Sequence, residues 1–102
     1  MRNIALVTGA SSGMGKEFVR EISKKYKGLD EIWVVARRRE RLRELKKEII
    51  GTRVRILPLD LMKEESFERL KMVLAKEQPV VRILVNASGS VSYTHLTLPT
   101  IA

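Results

Sequence analysis

The chain has 102 residues, a length that suits one small domain or part of one. Hydrophobic residues make up 44% and prolines number three, which excludes wholesale disorder. No cysteine occurs, which excludes a disulfide framework and a thiolate zinc site and fits a reducing compartment. The formal net charge of +8 would suit a polyanion. The basic residues, however, lie mostly in three helical stretches where they alternate with Glu, as solvated faces do, so no nucleic-acid partner is expected.

The N-terminus, MRNIALVTGASSG, offers only about five apolar residues before glycines intervene. That is too short for a signal-peptide core or a membrane span, so a cytoplasmic protein with no membrane partner is expected. The run IALV (4–7) predicts a first strand. After it comes the loop Thr8-Gly9-Ala10-Ser11-Ser12-Gly13-Met14-Gly15-Lys16 and then a helix in which Phe18, Ile22 and Tyr26 fall at i, i+4, i+8 with Val19 beside them. Gly28 is placed as a stop, and IWVVA (32–36) predicts a second strand. Leu42, Leu45 and Ile49 form the apolar stripe of a second helix, which Gly51 follows. VRIL (54–57) predicts a third strand. Phe67, Leu70 and Leu74 mark a third helix that Pro79 ends, and VRILV (81–85) predicts a fourth strand.

The order is therefore β-α-β-α-β-α-β. Near-continuous apolar strands alternating with helices imply an α/β fold, a parallel sheet covered on both faces. Right-handed crossovers and a doubly wound plan give strand order 3-2-1-4, with ligands bound beyond the carboxyl ends of strands 1 and 4, where the order reverses.

The glycine loop lies at that end of strand 1. Glycines let the backbone turn sharply and approach a ligand, and the helix start presents unpaired N–H groups and a positive dipole end. Together they form a phosphate cradle, to which Ser11 and Ser12 add hydroxyl donors. A Walker A loop is excluded twice, because Ala10 stands where its first Gly should be and Glu17 where its magnesium-binding hydroxyl should be.

The loop TGASSGMG resembles the TGxxxGxG loop of the short-chain dehydrogenase/reductase family, classical type. Three further segments match that family in order: ARR at the end of strand 2, LDL at 59–61 and VNASG at 85–89. The resemblance covers about residues 3–89 and implies the N-terminal, cofactor-binding half of a Rossmann fold that binds a nicotinamide dinucleotide. It implies that Gly9, Ser11, Ser12 and Met14 line the adenosine ribose and pyrophosphate, while Gly13 and Gly15 permit the close helix approach. Asp60 and Leu61 would border the adenine, with the Asp60 carboxylate accepting from its exocyclic amine. Asn86, Ala87 and Ser88 would pass beside the ribose. The family usually has Asn-Asn-Ala-Gly there, whereas this chain has Asn86-Ala87-Ser88-Gly89.

An NAD-specific site carries Asp or Glu at the end of strand 2, about 20 residues past the loop, to bind the ribose 2′-hydroxyl. Here that position is Ala36, followed by Arg37-Arg38-Arg39. The missing carboxylate and the following guanidinium favour a 2′-phosphate, so the expected cofactor is NADP rather than NAD, held by Arg37 and then Arg38, with Arg39 facing solvent. Arg41 and Arg43 read as the continuation of a basic helix.

The family's reductases use Ser, Tyr and Lys, the last two as Tyr-x-x-x-Lys. Here the final lysine is Lys76; Tyr26 has Asp30 four residues on and Tyr93 has Thr97. No catalytic residue and no metal ligand is expected in this chain. The expectation is an NADP-dependent oxidoreductase in its intact form, acting on a small-molecule carbonyl or alcohol, with family resemblance implying a homo-oligomer. The alternative is a non-catalytic Rossmann module that binds or senses NADP(H).

The last stretch, SVSYTHLTLPTIA (90–102), lacks Lys, Arg, Asp and Glu and follows a densely charged region without a linker. Back-translated as GTC-TCT-TAT-ACA-CAT-CTG-ACG-CTG-CCG-ACG, residues 91–100 resemble the transposon-end adaptor used in short-read library preparation. Two units are therefore expected: a partial NAD(P)-binding Rossmann domain at 1–89, and non-native adaptor read-through at 90–102. Strand 4 would then be an apolar edge, and the chain alone is expected to be insoluble or molten.

Overall fold

The computed structural model describes residues 2–87. The elements run β1 (Asn3–Thr8), α1 (Gly13–Lys25), β2 (Glu31–Ala36), α2 (Arg39–Glu48), β3 (Arg53–Pro58), α3 (Glu64–Glu77) and β4 (Val80–Asn86). The four strands are parallel and ordered β3-β2-β1-β4. Every expected element is present, each strand one or two residues longer than its apolar run because flanking polar residues join the ladder. Between β1 and β4 the chain order reverses.

Alternation along the strands feeds two cores. On one face Ala5, Val7, Ile32, Val34 and Val54 pack with Val19 and Ile22 of α1 and Leu42 and Leu45 of α2. On the other, Ile4, Leu6, Trp33, Val35 and Val81 pack with Leu70 and Leu74 of α3. All six residues of β2 are buried, as expected of an inner parallel strand covered on both faces.

The buried side of α1 differs from the expected stripe. Gly15, Val19, Ile22 and Ser23 face the sheet, while Phe18 is 42% and Tyr26 52% exposed. The cause is Gly15: lacking a side chain, it lets the helix settle directly onto Gly9, and that contact sets the rotation of the helix. Tyr26 is the C-cap, and Gly28 lies in the turn beyond. The close of α3 is a left-handed Gln78 at φ 47°, followed by Pro79, which cannot continue a helix.

Where β4 pairs with β1 the register shifts. Ile4 stands opposite Val81 but Ala5 opposite Ile83, so Arg82 is an extra residue in the ladder. The bulge resets the alternation, and Leu84 joins the α3 side while Ile83 and Val85 join the α1 side. Arg82 itself is exposed, and its Nε donates to Asn3 Oδ1 at 3.1 Å.

Candidate functional site

The turn after β1 is held almost entirely by its own backbone. Gly9 adopts φ 69°, a left-handed conformation that glycine takes at no steric cost. Ser12 N donates to Gly9 O at 3.1 Å, and Ala10 N donates across to Val35 O at 3.2 Å, tying the loop to the end of β2. Ser12 is the N-cap of α1: its hydroxyl accepts from Gly15 N at 3.0 Å and donates to Gly9 O at 2.8 Å. Its side chain caps α1 and also lines the cavity described below.

The two later glycines of the loop are unlike. A Cβ on Gly15 would lie 2.1 Å from Gly9 O and 2.8 Å from Ala10 Cα, whereas a Cβ on Gly13 would meet nothing within 4 Å. The close approach expected of both belongs to Gly15 alone. At the neighbouring strand end, buried Thr8 donates from Oγ1 to Asn86 Oδ1 at 3.2 Å, and Ala87 N donates to Thr8 O at 3.0 Å. Asn86 and Ala87 therefore continue the β4 pairing beside the loop. Ser88 lies outside the described residues.

Beyond the carboxyl ends of the strands is a cavity of about 420 Å³, lined by the loop (Gly9, Ser11, Ser12), the end of β2 (Ala36, Arg37) and the segment after β3 (Asp60, Leu61), among others. The six positions expected to hold the cofactor among these, Gly9, Ser11, Ser12, Arg37, Asp60 and Leu61, come from three separate stretches of chain. Gly13, Met14, Gly15, Arg38, Asn86 and Ala87 are absent from its lining. Arg38 is the N-cap of α2, without a side-chain capping bond, and is exposed. Met14 is 65% exposed. Asp60 turns the chain: its Oδ1 accepts from Met62 N at 3.0 Å and its carbonyl accepts from Lys63 N at 2.9 Å.

Arg41, in the first turn of α2, also lines the cavity, whereas the sequence alone reads it as part of a solvated basic helix. Met62, directly after the LDL segment, lines it too, as do Thr8, Val35 and Leu59. The lining thus brings two guanidinium groups to the end of β2, where Ala36 supplies no carboxylate.

A larger recess, about 780 Å³, lies at the amino ends of the strands and is lined by Arg2, Asp30, Glu31, Arg53, Glu77 and Gln78. Several of its charges pair. Glu31 accepts from Arg2 Nη1 at 3.1 Å and from Trp33 Nε1 at 3.0 Å, and Glu77 bonds both Arg55, at 2.6 Å, and Arg2. The Arg55 bond, reinforced by Arg2, holds the Glu77 carboxyl below its ordinary range. Among the described residues no group of three or more His, Cys, Asp or Glu could hold a metal ion, and no helix is long and apolar enough to cross a membrane.

A family model described as short chain dehydrogenase matches residues 3–99. The chain belongs to the short chain dehydrogenase family. Its relatives include 7beta-hydroxysteroid dehydrogenase of Clostridium sardiniense, 43% identical over 68 residues, covering 64% of this chain and 25% of the relative. Carbonyl reductase (NADPH) 1 of Rattus norvegicus is 33% identical over 90 residues, covering 86% of this chain and 32% of the relative. Among solved structures, L-sorbose reductase from Gluconobacter frateurii complexed with NADPH and L-sorbose superposes with a TM-score of 0.70 at 28% identity, covering 87% of this chain and 34% of that one. A metagenomic short-chain oxidoreductase in complex with NADP gives a TM-score of 0.68 at 28% identity, covering 80% and 37%. The chain spans about a third or less of the length of the curated relatives it matches.

Proposed function

We propose that this chain is the dinucleotide-binding part of an NADP-dependent oxidoreductase whose intact form acts on a small-molecule carbonyl or alcohol. The observation that carries the reading is the cavity at the end of β2, where Arg37 and Arg41 line the wall and Ala36 offers no carboxylate. Two guanidinium groups complement a 2′-phosphate, whereas an acidic side chain at that position would repel it. The loop adds the positive end of a 13-residue helix, with Ser11 alongside. Leu61 gives an apolar wall and Asp60 an acceptor suited to an adenine amine. NADP when bound supplies the hydride; the chain's own residues hold and orient it. That relatives bear names such as carbonyl reductase (NADPH) and NADP-dependent 3-hydroxy acid dehydrogenase agrees with this choice of cofactor.

On the same reading, the residues that polarise the substrate and move its proton belong to the intact protein beyond residue 89, and residues 90–102 are non-native. Long-read sequencing of the source locus across codon 89 tests both. A continuing frame with a Ser and a Tyr-x-x-x-Lys is expected; a frame that encodes residues 90–102 and then stops overturns them. Titration of NADPH and NADH against the protein expressed from its complete gene tests the cofactor. NADPH should bind roughly tenfold tighter or better, about what one charge-assisted phosphate contact supplies. Equal affinities would overturn the assignment. Binding of NADPH without turnover of any carbonyl or alcohol would favour a sensing module instead.

A further inference from the structure

We propose that Met62 is an oxidation site through which peroxide lowers cofactor affinity; the inference rests on the cavity being a dinucleotide site. Among the described residues the cavity lining holds one sulfur atom, that of Met62. The side chain is 68% exposed and thus open to a small oxidant, while its backbone is fixed by the turn in which Met62 N donates to Asp60 Oδ1. Next to it stands Leu61, half-buried against the α3-side core. A flexible, polarizable thioether at the rim of such a wall suits a planar, apolar ring face.

Peroxide changes that surface. The sulfur lone pair attacks one peroxide oxygen and the O–O bond breaks. The departing hydroxide takes up a proton as water, and the sulfur, oxidised by two electrons, keeps the oxygen as sulfoxide. The product sets a polar S=O dipole, negative at oxygen, in a wall that also carries Asp60, where an apolar thioether stood. A bound dinucleotide should shield the same sulfur, so occupancy and oxidation oppose each other. A sulfoxide reductase supplied with a dithiol reverses the change.

The test compares the protein from the complete gene with its Met62→Leu variant, each measured against its own untreated NADPH affinity. Both are treated with hydrogen peroxide, with and without NADPH, and oxygen addition at Met62 is read by peptide mass spectrometry. Oxidation at Met14 and Met72 affects both proteins alike. The unmodified sequence should lose roughly fivefold in affinity on oxidation, the scale of losing one apolar contact. Met62→Leu should lose less, NADPH should protect Met62, and the reductase should restore binding. Equal losses in the two proteins, or equal oxidation of Met62 with and without NADPH, overturn the proposal. Absence of NADPH binding before treatment overturns the functional reading itself, and this proposal with it.

Discussion

Gly15 and Gly13 sit two positions apart in one loop, yet a side chain at each would meet different surroundings. At Gly15 a methyl group would meet backbone on the far side of the turn, at 2.1 Å from Gly9 O, and backbone cannot swing away as a side-chain tip can. Gly15→Ala should cost about 3 kcal/mol or more, through displacement of α1 from the sheet, measured as a fall in urea midpoint. Gly13→Ala, with open space around the new methyl, should change stability by less than about 1 kcal/mol in the same experiment. The arginines invite a similar contrast. Arg37→Ala and Arg41→Ala should each weaken NADPH binding roughly tenfold while leaving NADH nearly unchanged, because each removes a charge-assisted bond to a group that NADH lacks. Arg38→Ala, at a position outside the lining, should change neither.

At the scale of elements, three pieces of chain meet in the charged cluster at the amino end of the sheet. Arg2 leads into β1, Arg55 belongs to β3, and Glu77 is the last residue of α3. Arg55 also stacks 4.6 Å from the centroid of the Trp33 ring, so one guanidinium links an edge strand, a buried indole and a helix end. Because the Glu77 carboxyl titrates below its ordinary value of 4.5, the unfolded chain binds its proton at a higher pH than the folded one. Stability from this cluster is then complete above about pH 5 and falls as pH drops through the depressed folded value. Glu77→Gln should cost about 1 kcal/mol at neutral pH, a figure typical of partly exposed ion pairs, and should flatten the acid limb of the stability curve. Chemical denaturation at pH 7 and pH 3.5 would measure both effects. An unchanged acid limb would mean that Glu77 contributes nothing to it. The Arg20–Glu48 pair, at 2.7 Å between α1 and α2, lowers Glu48 in the same direction, but its partners are more exposed to solvent.

Across the whole molecule, β1 and β2 are inner strands and β3 and β4 flank them among the described residues. Hydrogen exchange should be slowest at Leu6, Val34 and their neighbours and faster along β3, which pairs on one side only among the described residues, as outer ladders open more readily than central ones. Uniform protection across all four strands would contradict this. The same arrangement explains what could be read in advance. Strand order was legible because apolar runs, helical periodicity and the glycine loop are local patterns that a parallel fold can join in few ways. The cavity lies at the ends of β1, β2 and β3 rather than between β1 and β4 as the reversal of strand order suggested, because the segment after β3 folds over the glycine loop. The rotation of α1 was not, since it depends on Gly15 meeting a carbonyl across the turn rather than on the helix's own apolar spacing. Arg41 escaped notice because basic residues on α2 look alike until the cavity shows which of them line it. The Arg2–Glu31, Arg2–Glu77 and Arg55–Glu77 contacts join residues 22 to 75 positions apart, and no short-range pattern announces them.

The bulge at Arg82 makes β4 a natural place for the chain to gain or lose length. Residues on either side of Arg82 already alternate as a regular ladder would if it were excised: Val81 opposite Ile4, then Ile83 opposite Ala5. A deletion there would shorten the polypeptide by one residue while keeping each remaining β4 side chain on its present face and Asn86 opposite Thr8. Loss of a neighbouring residue such as Leu84 would instead invert part of the strand, exchanging its inward and outward groups. In an insertion–deletion scan, position 82 should stand out as a tolerated gap within an otherwise intolerant strand.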